Sequence, residues 1–227
     1  MIYLSSITRI FQMGDQEVRA LNGINLKIAS GEYVSIMGPS GSGKSTLLNI
    51  IGLLDRADIG RYELDGNDVT SLSEIEQARV RREKIGFVFQ SFHLVPRLTA
   101  AENIELPLML DGVLPSRRKL RVKEALLEFN LSDRAQHRPA EMSGGQQQRT
   151  AIARATILRP TAILADEPTG NIDHRNGAEV IALLEGLHHT GTTLIIVTHD
   201  QELGARANRH IAMRDGEIVS DGKSVLK

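Results

Sequence analysis

The chain has 227 residues, 41% of them hydrophobic, enough to bury a sizeable core and too many for a disordered polymer. Its 27 basic and 28 acidic side chains leave a formal charge of −1, which speaks against a protein devoted to nucleic-acid phosphates. The absence of cysteine excludes disulfides, cysteine-zinc sites and thiol catalysis.

The longest apolar run covers only residues 180–184, far short of the roughly 20 residues of a membrane span. The first four residues lack the basic start and long apolar stretch of a signal peptide. These features predict a soluble, cytoplasmic chain; any work at a membrane would need spans supplied by another chain.

Along the chain, Ile24, Leu26 and Ile28 alternate with polar residues and predict a half-buried strand. Ser30, Gly31 and Glu32 form a turn signal before a strand over residues 33–37, a glycine-rich loop and a helix over 45–51. Short apolar runs follow at 85–89, 162–165 and 194–197. The last two are continuous, as in strands covered on both faces of a parallel sheet. Helical patterns at 117–129, 146–158 and 177–187 lie between them, and two apolar stretches around Asp215 and Gly216 predict a closing hairpin. Strands separated by helices predict an α/β fold. Residues 90–158 carry most of the middle helices and no strand signal, so they read as a helical lobe inserted into a core built from residues 1–89 and 159–227.

Gly38, Pro39, Ser40, Gly41, Ser42, Gly43, Lys44 and Ser45 fit the phosphate-loop pattern G-x-x-x-x-G-K-[ST] in full, between a buried strand and a helix. Glycines let successive backbone N–H groups curl around phosphate oxygens, and the helix start adds partial positive charge. Lys44 is placed to reach the β- and γ-phosphates, Ser45 to bind Mg²⁺ and Thr46 to donate to the α-phosphate. This predicts nucleoside triphosphate binding. Asp166, at the carboxyl edge of the run at 162–165, is placed to hold the Mg²⁺ shell; Glu167, next to it, is placed to polarise a water.

The stretch Met142-Ser143-Gly144-Gly145-Gln146-Gln147-Gln148-Arg149 resembles the signature of the ATP-binding-cassette (ABC) ATPases. Asp166-Glu167-Pro168-Thr169-Gly170-Asn171-Ile172-Asp173 resembles that family's Walker B motif and D-loop, Gln90 its Q-loop and His199 its switch histidine. All five elements stand in the family's order across essentially the whole chain. The resemblance implies one nucleotide-binding domain over residues 1–227, with a RecA-like P-loop core of mostly parallel sheet, an antiparallel β subdomain and the helical lobe. It implies ATP and Mg²⁺ as cofactors and hydrolysis to ADP and phosphate.

Residue roles follow from the same resemblance. Ser143 suits an N-cap, and Gly144 and Gly145 expose N–H groups at a helix start. The family uses that surface on the γ-phosphate of a second subunit, so Ser143, Gly144, Gly145 and Gln146 are assigned to a partner's ATP in a homodimer or pseudo-dimer. Glu167 is expected as general base, Lys44 and His199 on the γ-phosphate, and Ser45, Gln90 and Asp166 around Mg²⁺. Asp173 is expected to communicate across the dimer. Phe11 stands where the family often stacks adenine on tyrosine, and serves either that purpose or the core. Met142 replaces the usual leucine.

Residues 85–103, 105–108 and 164–171 further resemble the macrolide-exporter and lipoprotein-release subfamily, with the cell-division ABC ATPase a near relative. This implies an ATPase subunit driving efflux of macrolides or peptides, or transmitting force to an extracytoplasmic domain. It also implies transmembrane permease subunits, an extracytoplasmic adaptor and a place on the cytoplasmic face of the inner membrane, with no nucleic-acid partner. A regulatory ATPase for cell-wall or division processes and an amino-acid-type importer remain alternatives. A DNA- or ribosome-directed ABC ATPase is disfavoured, because the interval between Lys44 and Ser143 is too short for a long coiled coil. The end of the chain soon after the final hairpin predicts a separately encoded subunit.

Phe92, Leu94, Val95 and Leu98 read either as lobe packing or as a groove for a permease helix. The basic clusters at Arg79, Arg81, Arg82 and Lys84 and at Arg117, Arg118, Lys119, Arg121 and Lys123 read as solvated helix faces. His188 and His189 read as a helix end rather than a metal site.

Overall fold

The structure, a computed structural model, describes residues 1–14 and 16–223. Two sheets organise it. A four-stranded antiparallel sheet takes the order β2-β1-β4-β5, from β1 (Ile2–Met13), β2 (Gln16–Ile28), β4 (Ile59–Leu64) and β5 (Asn67–Asp68). A six-stranded sheet takes the order β10-β9-β3-β8-β7-β6, from β3 (Tyr33–Met37), β6 (Ile85–Phe89), β7 (Ala162–Asp166), β8 (Thr193–Val197), β9 (Arg209–Arg214) and β10 (Glu217–Lys223). The five strands from β9 to β6 run parallel; β10 folds back antiparallel on β9 as the predicted hairpin. The fold is α/β with a mostly parallel sheet and a separate antiparallel one.

The continuous apolar strands are buried on both faces. Along β8, Ile195 and Val197 pack with β1, β2 and helix α1 (Lys44–Ile51), while Leu194 and Ile196 pack on the other side. That second core also takes in α3 (Ala100–Leu110), α4 (Pro115–Glu128), α5 (Gly144–Thr156) and α6 (His174–His189). Residues 90–158 hold α3, α4, α5 and two single-turn helices, with no strand.

Helix starts are set by caps that apolar periodicity does not register. Ser143 caps α5, its Oγ accepting from Gln146 N at 3.3 Å while Gln146 Oε1 accepts from Ser143 N at 3.0 Å. Asp173 caps α6 by accepting from Asn176 N at 3.1 Å, so this helix begins three residues before the predicted residue 177. Helix α2 (Glu74–Lys84) buries only Gln77 and is held by a Ser73–Glu76 capping box and an Arg79–Glu83 pair at 2.9 Å.

The basic clusters on α2 and α4 are not uniformly solvated. Arg81 donates to Leu53 O, and Arg118 pairs with Glu105 at 2.6 Å and donates to Val113 O at 2.9 Å. Both are half-buried because each guanidinium closes a backbone carbonyl that packing has removed from water. Phe92, Leu94, Val95 and Leu98 are also half-buried. The turn they occupy is fastened by fully buried Asn103, which bonds the backbones of Val95, Leu98 and Thr99. His188 and His189 lie in the last turn of α6, and among the described residues no His, Asp and Glu cluster is arranged to hold a metal. No helix among the described residues is long and apolar enough to cross a membrane.

Candidate active site

The phosphate loop leaves the end of β3 and enters α1, so its N–H groups gather at the carboxyl edge of the parallel sheet. Gly43 is the N-cap of α1 at φ 95° and ψ 2°, a left-handed conformation that favours glycine. A Cβ at this position would run into the Ala20 carbonyl oxygen. Lys44 Nζ donates to Gly38 O at 2.8 Å and Pro39 O at 2.9 Å, folding the ammonium back over the loop.

Asp166 closes the end of β7 beside this loop, with Ser45 Oγ donating to its Oδ1 at 3.4 Å. Burial pushes the Asp166 carboxyl above the usual carboxylate range, opposed by the Ser45 hydrogen bond, while the Glu167 charge raises it and Lys44 lowers it. A hydroxyl and a desolvated carboxylate at this separation are hard oxygen donors suited to a magnesium ion, whose charge would restore the ionised form.

Glu167 follows in a left-handed backbone conformation, φ 46°, with its N–H donating to Val197 O at 2.9 Å. Its Oε1 accepts from His199 N at 2.9 Å and lies 2.7 Å from His199 Nδ1. Its Oε2 accepts from Thr198 Oγ1 at 3.1 Å. The carboxylate is mostly buried whereas the imidazole is exposed, and their hydrogen bond raises His199 above the usual histidine value.

Gly38 to Thr46, Asp166, Glu167 and His199 together line one open cleft of about 760 Å³, within the range of nucleotide-sized sites. Two further walls of the cleft were not marked in the sequence as part of the site. Val18, Arg19 and Ala20 come from β2, and Asp215 comes from the closing hairpin. The same hairpin braces the loop, Gly216 N donating to Ser42 O at 3.2 Å and Asn22 N to Gly216 O at 2.9 Å. Asp215 and Gly216 were legible only as a turn; nothing local marks β2 as a wall.

The remaining predicted residues stand apart from this cleft. Gln90 Nε2 lies 3.5 Å from Asn171 Oδ1, and Asn171 Nδ2 donates to Gln90 O at 3.1 Å, so Gln90 faces the segment after β7 rather than Ser45. Ser143, Gly144, Gly145 and Gln146 open α5 beside that segment: a Cβ on Gly144 would lie 3.1 Å from Asn171 O. Asp173 is occupied as the α6 cap. Phe11 is exposed, with the Arg9 guanidinium 4.6 Å from its ring centroid, which removes the core alternative. It pairs across the sheet with Val18 of the cleft wall.

Residues 21–170 match the family described as ABC transporter. The chain belongs to the ABC transporter family. It is 48% identical over 221 residues to the ABC transporter ATP-binding protein YvrO of Bacillus subtilis, covering 97% of this chain and 96% of that protein. It is 49% identical over 221 residues to the macrolide export ATP-binding/permease protein MacB of Marinobacter nauticus, but spans only 34% of that longer protein. Among solved structures, a dimeric post-hydrolysis state of the ATP-binding cassette MJ0796, bound to ADP and Pi, superimposes with a TM-score of 0.93 at 44% identity over the whole of both chains.

As an ABC cassette, this chain has the P-loop α/β fold, binds ATP with Mg²⁺ and hydrolyses ATP to ADP and phosphate.

Proposed function

We propose that this chain is the ATPase subunit of a membrane ABC exporter of the macrolide-export type, working in pairs on the cytoplasmic face of the inner membrane. The observation that carries the pairing is spatial. The phosphate loop, Asp166, Glu167 and His199 share one cleft, while the capped, glycine-opened start of α5 stands outside it. A second N–H surface beyond the reach of its own phosphate site suits the γ-phosphate of another copy.

Within that reading, residues 1–227 act as one nucleotide-binding domain, residues 90–158 forming the lobe that carries Ser143, Gly144, Gly145 and Gln146. Lys44 exchanges the carbonyls of Gly38 and Pro39 for the β- and γ-phosphates. Ser45 and Asp166 hold Mg²⁺, which supplies charge neutralisation on the transferring phosphoryl group. Glu167 accepts the proton of the attacking water, and His199, hydrogen-bonded to Glu167, holds that water in line. Gln90 and Asp173 lie on segments that link the cleft to the lobe and to the second copy, and Phe11 offers the adenine a ring beside Val18.

Export is supported by 49% identity along almost the whole chain to proteins named for macrolide export. Those proteins join ATP-binding and permease functions in one longer polypeptide, and we assign this cassette a permease, and with it an extracytoplasmic adaptor, as the parts that it drives. Capture from detergent-solubilised membranes of the source cell, using the Glu167→Gln chain with Mg·ATP, tests this. A permease with few spans and a large extracytoplasmic domain is the expected result. A many-span permease accompanied by a solute-binding protein would replace export with import, and a dimer that brings down no membrane protein would contradict both.

A further inference from the structure

We propose that Thr198 is a positioning residue for ATP hydrolysis, its hydroxyl aiming the Glu167 carboxylate so that one lone pair on Oε2 faces the attacking water. The inference rests on the reading of Glu167 as general base.

Thr198 follows β8 directly and is fully buried. Its N–H donates to Ile36 O at 3.2 Å, which ties it to the strand that feeds the phosphate loop. Its Oγ1 accepts from Asp200 N at 3.1 Å and donates to Glu167 Oε2 at 3.1 Å. The Asp200 N–H occupies a lone pair of the hydroxyl oxygen, so the hydroxyl proton is directed to the carboxylate.

The count of lone pairs then distinguishes the two carboxylate oxygens. Oε1 meets two nitrogens, the His199 backbone N–H at 2.9 Å and the imidazole Nδ1 at 2.7 Å, which fill it when Nδ1 bears its proton. Oε2 meets only Thr198 among the described residues. One lone pair therefore remains for a water, and it sits on the oxygen whose direction the threonine hydroxyl sets. The left-handed backbone of Glu167, pinned through its N–H to Val197 O, leaves the short segment 197–199 in control of both ends of this side chain. Thr198 is too buried to touch the substrate itself and acts through Glu167.

The test is steady-state ATP hydrolysis by Thr198→Val, Thr198→Ser and Glu167→Gln. Valine keeps the shape and removes the hydroxyl; Asp200, whose N–H is released, is exposed and can turn to water. Thr198→Val is expected to lower kcat by about ten- to a hundredfold, the range for a lost hydrogen bond to a charged group, with KM for ATP within about threefold of the parent. Thr198→Ser is expected to restore most of the rate. Thr198→Ala provides a second hydroxyl-free chain should valine hinder folding, with a similar loss in kcat expected. A kcat within twofold of the parent in the hydroxyl-free chains, or a serine variant as slow as they are, overturns the proposal while Glu167→Gln remains inactive. Parental turnover by Glu167→Gln would instead remove the reading on which it stands.

Discussion

Replacing Glu167 with glutamine is expected to slow ATP turnover by about a hundredfold or more, the contribution of a positioned general base, while ATP affinity stays within a fewfold of the parent. The substitution preserves size and leaves an amide oxygen able to accept from the His199 N–H, so the cleft should keep its shape. What it removes is the negative oxygen that takes the water's proton. A second signature should appear in the same variant. In the parent, the Glu167 carboxylate favours the imidazolium form of His199 and so raises it above the ordinary histidine value. With a neutral amide beside it, His199 should titrate lower, back toward its ordinary range, when its ring resonances are followed against pH. Turnover at the parental rate would exclude Glu167 as the base, and an unmoved His199 titration would contradict the contact between them.

The second large effect is structural. Gly43→Ala is expected to destabilise the fold by about 3–5 kcal/mol, combining left-handed backbone strain with a forced backbone shift, and to abolish ATP binding with it. Gly43 holds φ 95° where the loop turns into α1, and the added methyl meets the Ala20 carbonyl on one side and Leu21 Cδ2 at 3.1 Å on the other. The Ala20 oxygen is backbone and the Leu21 methyl belongs to a fully buried side chain, so neither can swing aside freely, and both residues lie on β2. For a chain of this size the melting temperature should fall by about 6–20 °C. Gly41→Ala is the control, since Gly41 has φ 79° but no atom within 4 Å of an added Cβ. Its cost should be the conformational strain alone, about 1 kcal/mol, and about 2–4 °C in a thermal melt. Equal shifts for the two would show that the Gly43 contact with β2 does not constrain the loop.

The phosphate loop was legible because it is local: eight consecutive residues bounded by a buried strand and a helix. The strands β3, β6, β7 and β8 were legible for the same reason, each a short apolar run. Strand β1 was not. Its pairing with β2 is interrupted between Leu4 and Ile7 and again around Arg9, and Ser6 takes a φ of 51°, so the alternation that marks a strand is broken. Helix α2 escaped because capping and charge, rather than an apolar stripe, hold it.

The cleft was legible only as far as its residues lie near the phosphate loop or at the ends of the parallel strands. Val18, Arg19 and Ala20 reach it because the antiparallel sheet packs over α1, a long-range event with no local mark. Gln90 shows the opposite case. Its position after β6 was readable, but its orientation depends on Asn171, and that pairing places its amide against the segment after β7. Thr198 is a residue that composition and periodicity treat as the polar end of a strand. Its place became visible only once the hydroxyl was seen between Asp200 N and Glu167 Oε2.

Completion of the site by a second copy is tested most directly by equilibrium sedimentation of the Glu167→Gln chain with and without Mg·ATP. The mass should double when Mg·ATP is added, with one ATP retained per chain, and adding Ser143→Arg should leave ATP bound to a chain that stays monomeric. A Glu167→Gln chain that binds ATP and remains monomeric, or a dimer that forms equally well with Ser143→Arg, would contradict the assignment of the α5 start to the partner's γ-phosphate.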